Sequence, residues 1–207
     1  MGGGILSIGK ELNKNLPKEA FFRNVAAAPA VKASIAAEVK RFTLIQTISA
    51  QTCGLASGGD VSEIDVIEVE LKGQELSANV LETIAKALPF KVVFRVVCGE
   101  REKFAAYHSR LFVSEWSAVG RVAPVPAGLS LDELWKNIVA QIGGFTIESG
   151  RTLDEQIALD DERRKLQKQI DTLEKQAWAE KQPKKKFELA NALKKLTSLL
   201  KAKQNEG

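Results

Sequence analysis

Residues 63–98, EIDVIEVELK–GQELSANVLETIAKALPF–KVVFRVVC, decide the predicted fold. Apolar residues fall on both faces of the stretch 63–71, which is typical of a strand at the centre of a sheet. Residues 76–88 carry apolar side chains at helical spacing, and Pro89 ends that helix. Residues 91–98 form a nearly continuous apolar run, as in a buried strand. The stretch therefore predicts a strand–helix–strand unit at the core of an α/β domain.

The flanking sequence adds helices and strands to this core. Asn15 and Pro17 predict a short helix over LPKEAFFRNV, with Phe21 and Phe22 facing inward. Upstream of the core we further predict a helix from about Ala30 and a strand over FTLIQTIS. Downstream we predict a hairpin turn at GERE, a strand over KFAAYHSRLFV, a further strand at VSEW and a helix over LDELWKNIVAQI. The expected class is α/β: a small mixed sheet flanked by helices.

The last part of the chain has the pattern of a helical hairpin. Thr152 and Glu155 form a second capping box, after the one at Ser130 and Glu133. Pro183 cannot lie inside a helix, so two antiparallel coiled-coil arms are the economical interpretation. We place the α/β domain at residues 1–150 and the hairpin at 151–207, with Trp178 contacting the hairpin tip or a partner. The heptad positions are Leu166, Ile170, Leu173 and Ala177, then Leu189, Leu193, Leu196 and Leu200.

Positive charge is concentrated in the second arm. The chain has a formal net charge of +4, but residues 181–203 contain eight lysines and a single acid, Glu188. This basic stretch favours contact with a nucleic-acid backbone or an acidic partner; the alternative is an ordinary solvated helix face. The candidate nucleic-acid-binding residues are Lys181, Lys184, Lys185, Lys186, Lys194 and Lys195.

One group of residues has the pattern of a catalytic site. Glu68 and Glu70 lie two residues apart on the first core strand, Lys72 follows, and Asp60 precedes the strand. PD-(D/E)xK nucleases present an acid and an E-x-K element in this order, with carboxylates that bind Mg²⁺ and activate water. The alternative is that these side chains are solvated strand ends, because short acidic and basic patterns are common.

Other chemistries lack their motifs. The single histidine, His108, has no partner at zinc-ligand spacing, and no glycine-rich phosphate loop is present. No apolar run approaches the roughly 20 residues that span a bilayer. Two cysteines without a secretory pattern favour a reducing cytoplasm. We therefore expect a cytoplasmic protein without a cofactor, and Mg²⁺ only if the nuclease interpretation holds.

Three stretches together resemble a bacterial family known as domain of unknown function 4391. They are LNKNLPKEAFFRN, EVKRFTLIQTIS and the core stretch from residue 63 to 97; the ending KKKFELANALKKLTSLL is similar to that family's lysine-rich coiled tail. The resemblance covers nearly the whole chain. It implies a gene neighbourhood of DNA methyltransferases and of helicases of the Snf2 or restriction type. It carries over no catalytic residues, and family members do not keep the E-x-K element, which argues against the nuclease.

The sequence thus predicts an accessory, non-catalytic subunit of a restriction-modification or antiphage system. Its hairpin is expected to bind a larger helicase or methyltransferase, and its lysines to contact the DNA backbone. The alternative is a Mg²⁺-dependent nuclease that uses Asp60, Glu68, Glu70 and Lys72.

Overall fold

The computed structural model describes residues 6–19, 28–56 and 58–204. That part of the chain contains seven strands and six helices. The strands are β1 (Lys10–Leu16), β2 (Val39–Ser49), β3 (Glu63–Leu71), β4 (Lys91–Cys98), β5 (Arg101–His108), β6 (Arg110–Val113) and β7 (Ser117–Ala118). The helices are α1 (Pro29–Glu38), α2 (Ala50–Cys53), α3 (Ala78–Ala87), α4 (Leu131–Gly143), α5 (Leu153–Ala179) and α6 (Pro183–Gln204).

The chain divides into two compact units, Met1–Thr146 and Ile147–Gly207. All seven strands belong to the first unit, in one mixed sheet of order β1-β2-β3-β4-β5-β6, and β7 also pairs with β5. Strand β3 is antiparallel to β2 and parallel to β4. The parallel pair is joined by α3, so the strand–helix–strand unit predicted from residues 63–98 is confirmed, as is the mixed α/β class.

Strand β3 is buried on both faces. Ile67, Val69 and Leu71 share a hydrophobic core with residues of α1 and α3. Ile64 and Val66 alternate with these residues and are equally buried, so they face the opposite side of the sheet. Helix α4 packs against β3, β5 and β6. A strand covered in this way carries apolar side chains on both of its faces, which is the pattern that the sequence shows.

Helices at both ends of the first unit match their predicted positions. Helix α1 spans Pro29–Glu38, with Val31 and Ile35 buried. Helix α4 begins after Ser130, whose side chain accepts a hydrogen bond from the backbone N–H of Glu133. The Glu133 carboxylate accepts from the N–H of Leu129 instead of returning to Ser130, so the predicted reciprocal capping box is only half formed.

Several predicted boundaries are wrong. Asn15 lies inside β1 and does not cap a helix, because residues 10–16 pair with β2 along its free edge. The stretch 103–113 is not one strand: β5 and β6 form a hairpin that turns at Ser109, with φ of 50°. The strand expected at VSEW lies later, as the two-residue β7. Phe21 and Phe22, with most of their predicted helix, fall outside the described residues.

The second unit is a helical hairpin, as predicted. Helices α5 and α6 are in contact, and Pro183 is the first residue of α6. The capping box of α5 is complete, since Thr152 accepts from the backbone of Glu155 and the Glu155 side chain accepts from the backbone of Thr152. Arg163 on α5 donates to the Lys203 backbone carbonyl near the end of α6, which links the two arms at the end far from their connection.

Asp65 is an acidic residue of β3, in the first unit. This residue is buried, and its carboxylate accepts a hydrogen bond of 2.6 Å from the Thr47 hydroxyl. Burial raises the pKa of Asp65, the Thr47 hydrogen bond partly opposes this rise, and the charge of Glu63 adds to it. The folded protein therefore binds a proton at Asp65 more readily than the unfolded chain does.

We predict that Asp65→Asn becomes more favourable relative to wild type as pH rises above the ordinary pKa of an aspartate, about 3.9. A raised folded-state pKa means that wild-type stability from this group falls as pH rises through that pKa. The variant has no such titration. Urea unfolding at several pH values measures the difference in unfolding free energy. A difference that stays constant with pH would contradict the prediction, and Glu100→Gln, at an exposed turn of the same unit, serves as the control.

Candidate functional site

Two of the four acidic residues of β3, Glu68 and Glu70, lie toward its carboxyl end. Glu68 and Glu70 are two residues apart and so share one face. Glu68 Oε2 is 2.7 Å from Arg95 Nη1, and Arg95 Nε is 2.7 Å from Glu102 Oε2. Glu102 Oε1 also accepts a hydrogen bond of 2.7 Å from the Gly120 N–H. One arginine on β4 thus pairs with a carboxylate on each of the two strands beside it, β3 and β5.

Glu70 is held by two cations of β2. Lys40 Nζ lies 2.6 Å from its Oε1 and Arg41 Nη2 lies 3.0 Å from its Oε2. Consecutive residues of a regular strand point to opposite faces, but the β2–β3 register shifts between Val39 and Arg41, and a bulge of this kind redirects side chains. The Lys40 hydrogen bond, with the charges of Lys40 and Arg41, lowers the pKa of Glu70 despite partial burial. Glu70 is therefore an ionised partner in an ion-pair cluster.

Lys72 follows the end of β3 and contacts helix α1. Its ammonium donates a 2.7 Å hydrogen bond to the Ala36 carbonyl, and its backbone N–H donates to the Glu38 carbonyl at 2.8 Å. The last carbonyls of a helix have no intrahelical partner and carry partial negative charge. Lys72 thus stabilises the carboxyl end of α1, which accounts for a lysine at this position without catalysis.

Asp60 lies at the other end of β3. The Asp132 carboxylate, in the first turn of α4, accepts hydrogen bonds from the backbone N–H groups of Gly59, Asp60 and Val61. These bonds fix the turn that enters the amino end of the strand. The seven residue-to-residue steps of strand from Glu63 to Glu70 extend about 23 Å. The structure therefore does not bring Asp60 together with Glu68, Glu70 and Lys72.

The contacts of the acidic strand end decide whether it can bind a metal ion. Within residues 6–19, 28–56 and 58–204, no group of three or more histidine, cysteine, aspartate or glutamate side chains is arranged to hold a metal ion. Glu68 and Glu70 are already bound to Arg95, Lys40 and Arg41. The arrangement suits structural cross-linking of β2, β3, β4 and β5.

The lysines of the second arm differ from the carboxylates at the end of β3 in their ion pairing. Lys203 pairs with Glu162, but the other seven lysines of residues 181–203 are exposed. None of the six candidate lysines, from Lys181 to Lys195, has an acidic oxygen within 4.0 Å in the described part of the chain. An ammonium without an ion pair keeps its charge available for a partner. The hairpin therefore presents a row of unneutralised cations.

Two aromatic side chains near the connection between α5 and α6 are also exposed. Trp178, one residue before the end of α5, is 90% exposed, and Phe187, in the second turn of α6, is 69% exposed. The sequence predicts that Trp178 contacts the hairpin tip or a partner; the exposure of its side chain excludes close packing within the hairpin. The exposure of Phe187 is not among the sequence predictions. Its position outside the heptad positions is the signal that could have indicated it.

The fold and these surfaces define a class of protein: a mixed α/β domain followed by a helical hairpin with exposed lysines. The chain belongs to the family described as Domain of unknown function (DUF4391), whose model matches residues 9–200. The search of the curated proteins and the search of the solved structures each gave no match. No helix in the described residues is long and apolar enough to cross a membrane.

We predict that Arg95→Met destabilises the first unit by about 3 kcal/mol or more, because it leaves the Glu102 carboxylate buried without its cation. The side chain of Glu102 is only 2% exposed. Lys40→Met removes an exposed ion pair and should cost less than about 1 kcal/mol. Urea unfolding measures both.

A second variant separates charge from packing. Adding Glu102→Gln to Arg95→Met removes the stranded charge and should recover part of the loss. Equal losses for Arg95→Met and Lys40→Met, or no recovery in the double variant, would show that the arginine does not neutralise Glu102 in solution.

Proposed function

We propose that this protein is an accessory, non-catalytic subunit of a DNA restriction-modification or antiphage system, acting in the cytoplasm. Its hairpin binds a larger helicase or methyltransferase subunit, and the lysines of α6 contact the DNA backbone. The observation that carries the DNA-binding part is the set of six exposed lysines without ion-pair partners in the described part of the chain.

The distribution of charge between the two arms supports this proposal. In α5, basic residues such as Arg163 and Lys165 alternate with acids such as Glu162 and Asp171. In α6 and the residues before it, eight lysines accompany only Glu188. Repulsion among like charges on one helix costs stability, so a one-sided charge needs a reason other than folding. Phosphate contacts by lysine supply such a reason, because they release counterions and add affinity.

The two free cysteines agree with the proposed compartment. Cys53 and Cys98 are both free thiols, and cytosolic proteins keep their thiols reduced. The system to which the subunit belongs is proposed from the gene neighbourhood that the family resemblance implies. The acidic strand end supports the non-catalytic part, since its carboxylates and Lys72 already have protein partners.

We predict that the protein binds DNA at low salt and that binding weakens steeply between about 50 and 200 mM salt. Lys184→Ala/Lys185→Ala/Lys186→Ala should reduce the slope of log affinity against log salt by roughly one for each lysine that contacts a phosphate. Fluorescence anisotropy with a labelled duplex measures the affinity and the slope.

The matched control changes the same charge on the other arm. Arg164→Ala/Lys165→Ala/Lys168→Ala removes three exposed cations of α5 and should leave the slope nearly unchanged. Equal effects of the two triple variants would reduce the role of α6 to nonspecific net charge. No binding by wild type at low salt would remove the DNA-binding part of the proposal.

The protein-binding part has a separate test. Co-purification with a helicase or methyltransferase subunit encoded beside it should be lost when the chain is truncated after Thr146, the end of the first unit. Circular dichroism of the truncated chain establishes whether the first unit remains folded. Co-purification that survives truncation would show that the hairpin does not bind the partner.

We predict no Mg²⁺-dependent cleavage of plasmid DNA above the background of Glu70→Gln and Lys72→Ala preparations. Glu70 forms ion pairs with Lys40 and Arg41, and Lys72 donates a hydrogen bond to a carbonyl at the end of α1. Asp60 lies at the opposite end of β3. Nicking by wild type that disappears in both variants would instead favour the PD-(D/E)xK-like nuclease. Nicking that persists in both would indicate a contaminant.

A further inference from the structure

The exposed aromatic residues of the hairpin have no role in holding its arms together. Burying an aromatic side chain stabilises a protein by more than most other contacts do, yet Trp178 is 90% exposed and Phe187 69% exposed. The contact between the arms uses other positions: the heptad residues Leu166, Ile170, Leu173, Ala177, Leu189, Leu193, Leu196 and Leu200 are all at least partly buried.

Helical geometry places the two aromatic residues on one side of the hairpin. Each residue turns a helix by 100°, so Trp178 points roughly 110° away from the contact face of α5, and Phe187 roughly 150° away from that of α6. In an antiparallel pair, equal senses of rotation lead to the same side. The groove lined by Gln176, Lys185 and Glu188 confirms this relation for the opposite side, because these residues are all rotated in the other sense.

Lysines lie on the same side of α6 as Phe187. Phe187, Lys194 and Lys201 are spaced by seven residues, so they form one row along α6. All three are exposed. Closer to the connection, Lys181 and Lys186 are also exposed and without an ion pair in the described part of the chain. The aromatic surface of Phe187 thus begins a cationic row.

The acidic residues near Trp178 determine which helix a bound polyanion can follow. The groove beside it is also lined by Asp171, Glu174 and Lys175 on α5. The two carboxylates would repel a phosphate backbone that followed α5. A polyanion can therefore follow α6 from Phe187 toward Lys201, with Trp178 accessible beside its starting end.

We infer that the hairpin tip, residues 175–188, binds single-stranded nucleic acid. Trp178 and Phe187 stack against unpaired bases, and the lysine row along α6 contacts the phosphates. Exposed aromatic faces beside a cationic track are the general chemistry of single-strand binding, whereas a duplex keeps its bases stacked and offers only its backbone. This inference rests on the DNA contact proposed above and names the form of nucleic acid that the site takes.

Fluorescence anisotropy of the full chain tests the inference. The probes are a labelled oligothymidylate of about 20 nucleotides, longer than the ~4–16 nucleotides of typical single-strand sites, and a blunt duplex of equal length. Wild type should bind the oligothymidylate more tightly than the duplex at the same salt. Trp178→Ala and Phe187→Ala should each weaken oligothymidylate binding about fivefold or more, the lower end for loss of one base stack, and leave the duplex affinity nearly unchanged.

Two controls separate stacking from general damage. Trp178→Phe keeps an aromatic face and should retain most of the affinity. Leu199→Ala removes an exposed apolar side chain of α6, 52% exposed and rotated to the opposite side of the hairpin, and should change neither affinity. Thermal unfolding of each variant verifies that the hairpin still folds.

The outcomes distinguish this inference from the proposal on which it rests. If the α6 lysine variants weaken binding but Trp178→Ala and Phe187→Ala do not, the DNA contact stands and the stacking site is overturned. Equal affinity of wild type for both probes also overturns the single-strand preference. If wild type binds neither probe, both proposals fail.

Discussion

The structure depends on the burial of β3 on both faces and both edges. Strands β2 and β4 pair with it, one antiparallel and one parallel. Core residues of α1 and α3 cover Ile67, Val69 and Leu71, while α4 packs against the sheet as well. A strand in this position has no solvent-exposed side except at its ends. The ion-paired carboxylates of β3, Glu68 and Glu70, therefore lie toward its carboxyl end.

The burial of β3 explains why the acidic strand end resembles a catalytic site. Glu68, Glu70 and Lys72 come together in sequence because a buried strand must emerge from its core there. In the fold each has a structural partner: Arg95 for Glu68, Lys40 and Arg41 for Glu70, and the Ala36 carbonyl for Lys72. Pairing with cations of neighbouring strands satisfies these charges within the fold and occupies carboxylate oxygens that a metal ion would need.

The second unit differs from the first in how its surface is used. A two-helix hairpin has one contact face per arm, so most of its surface is free to interact with a partner. Arg163 and Glu162 join the carboxyl end of α6 to α5, while the end near the connection carries Trp178, Phe187 and four lysines. These side-chain links between the arms lie far from the tip, and the exposed cations and aromatic faces lie where a short link joins the arms.

The sequence by itself determined the elements whose pattern is local or whose burial is complete: β3, α3, β4 and the two arms of the hairpin. It did not determine β1, since KELNKNL is polar and becomes a strand only by pairing with the edge of β2. Nor did it determine the state of Glu68, Glu70 and Asp60. Their partners come from β2, β4 and α4, between 27 and 72 residues away in the chain. Spacing along one strand fixes which face a side chain takes, but only the assembled sheet decides which charges meet it, because pairing and register are long-range.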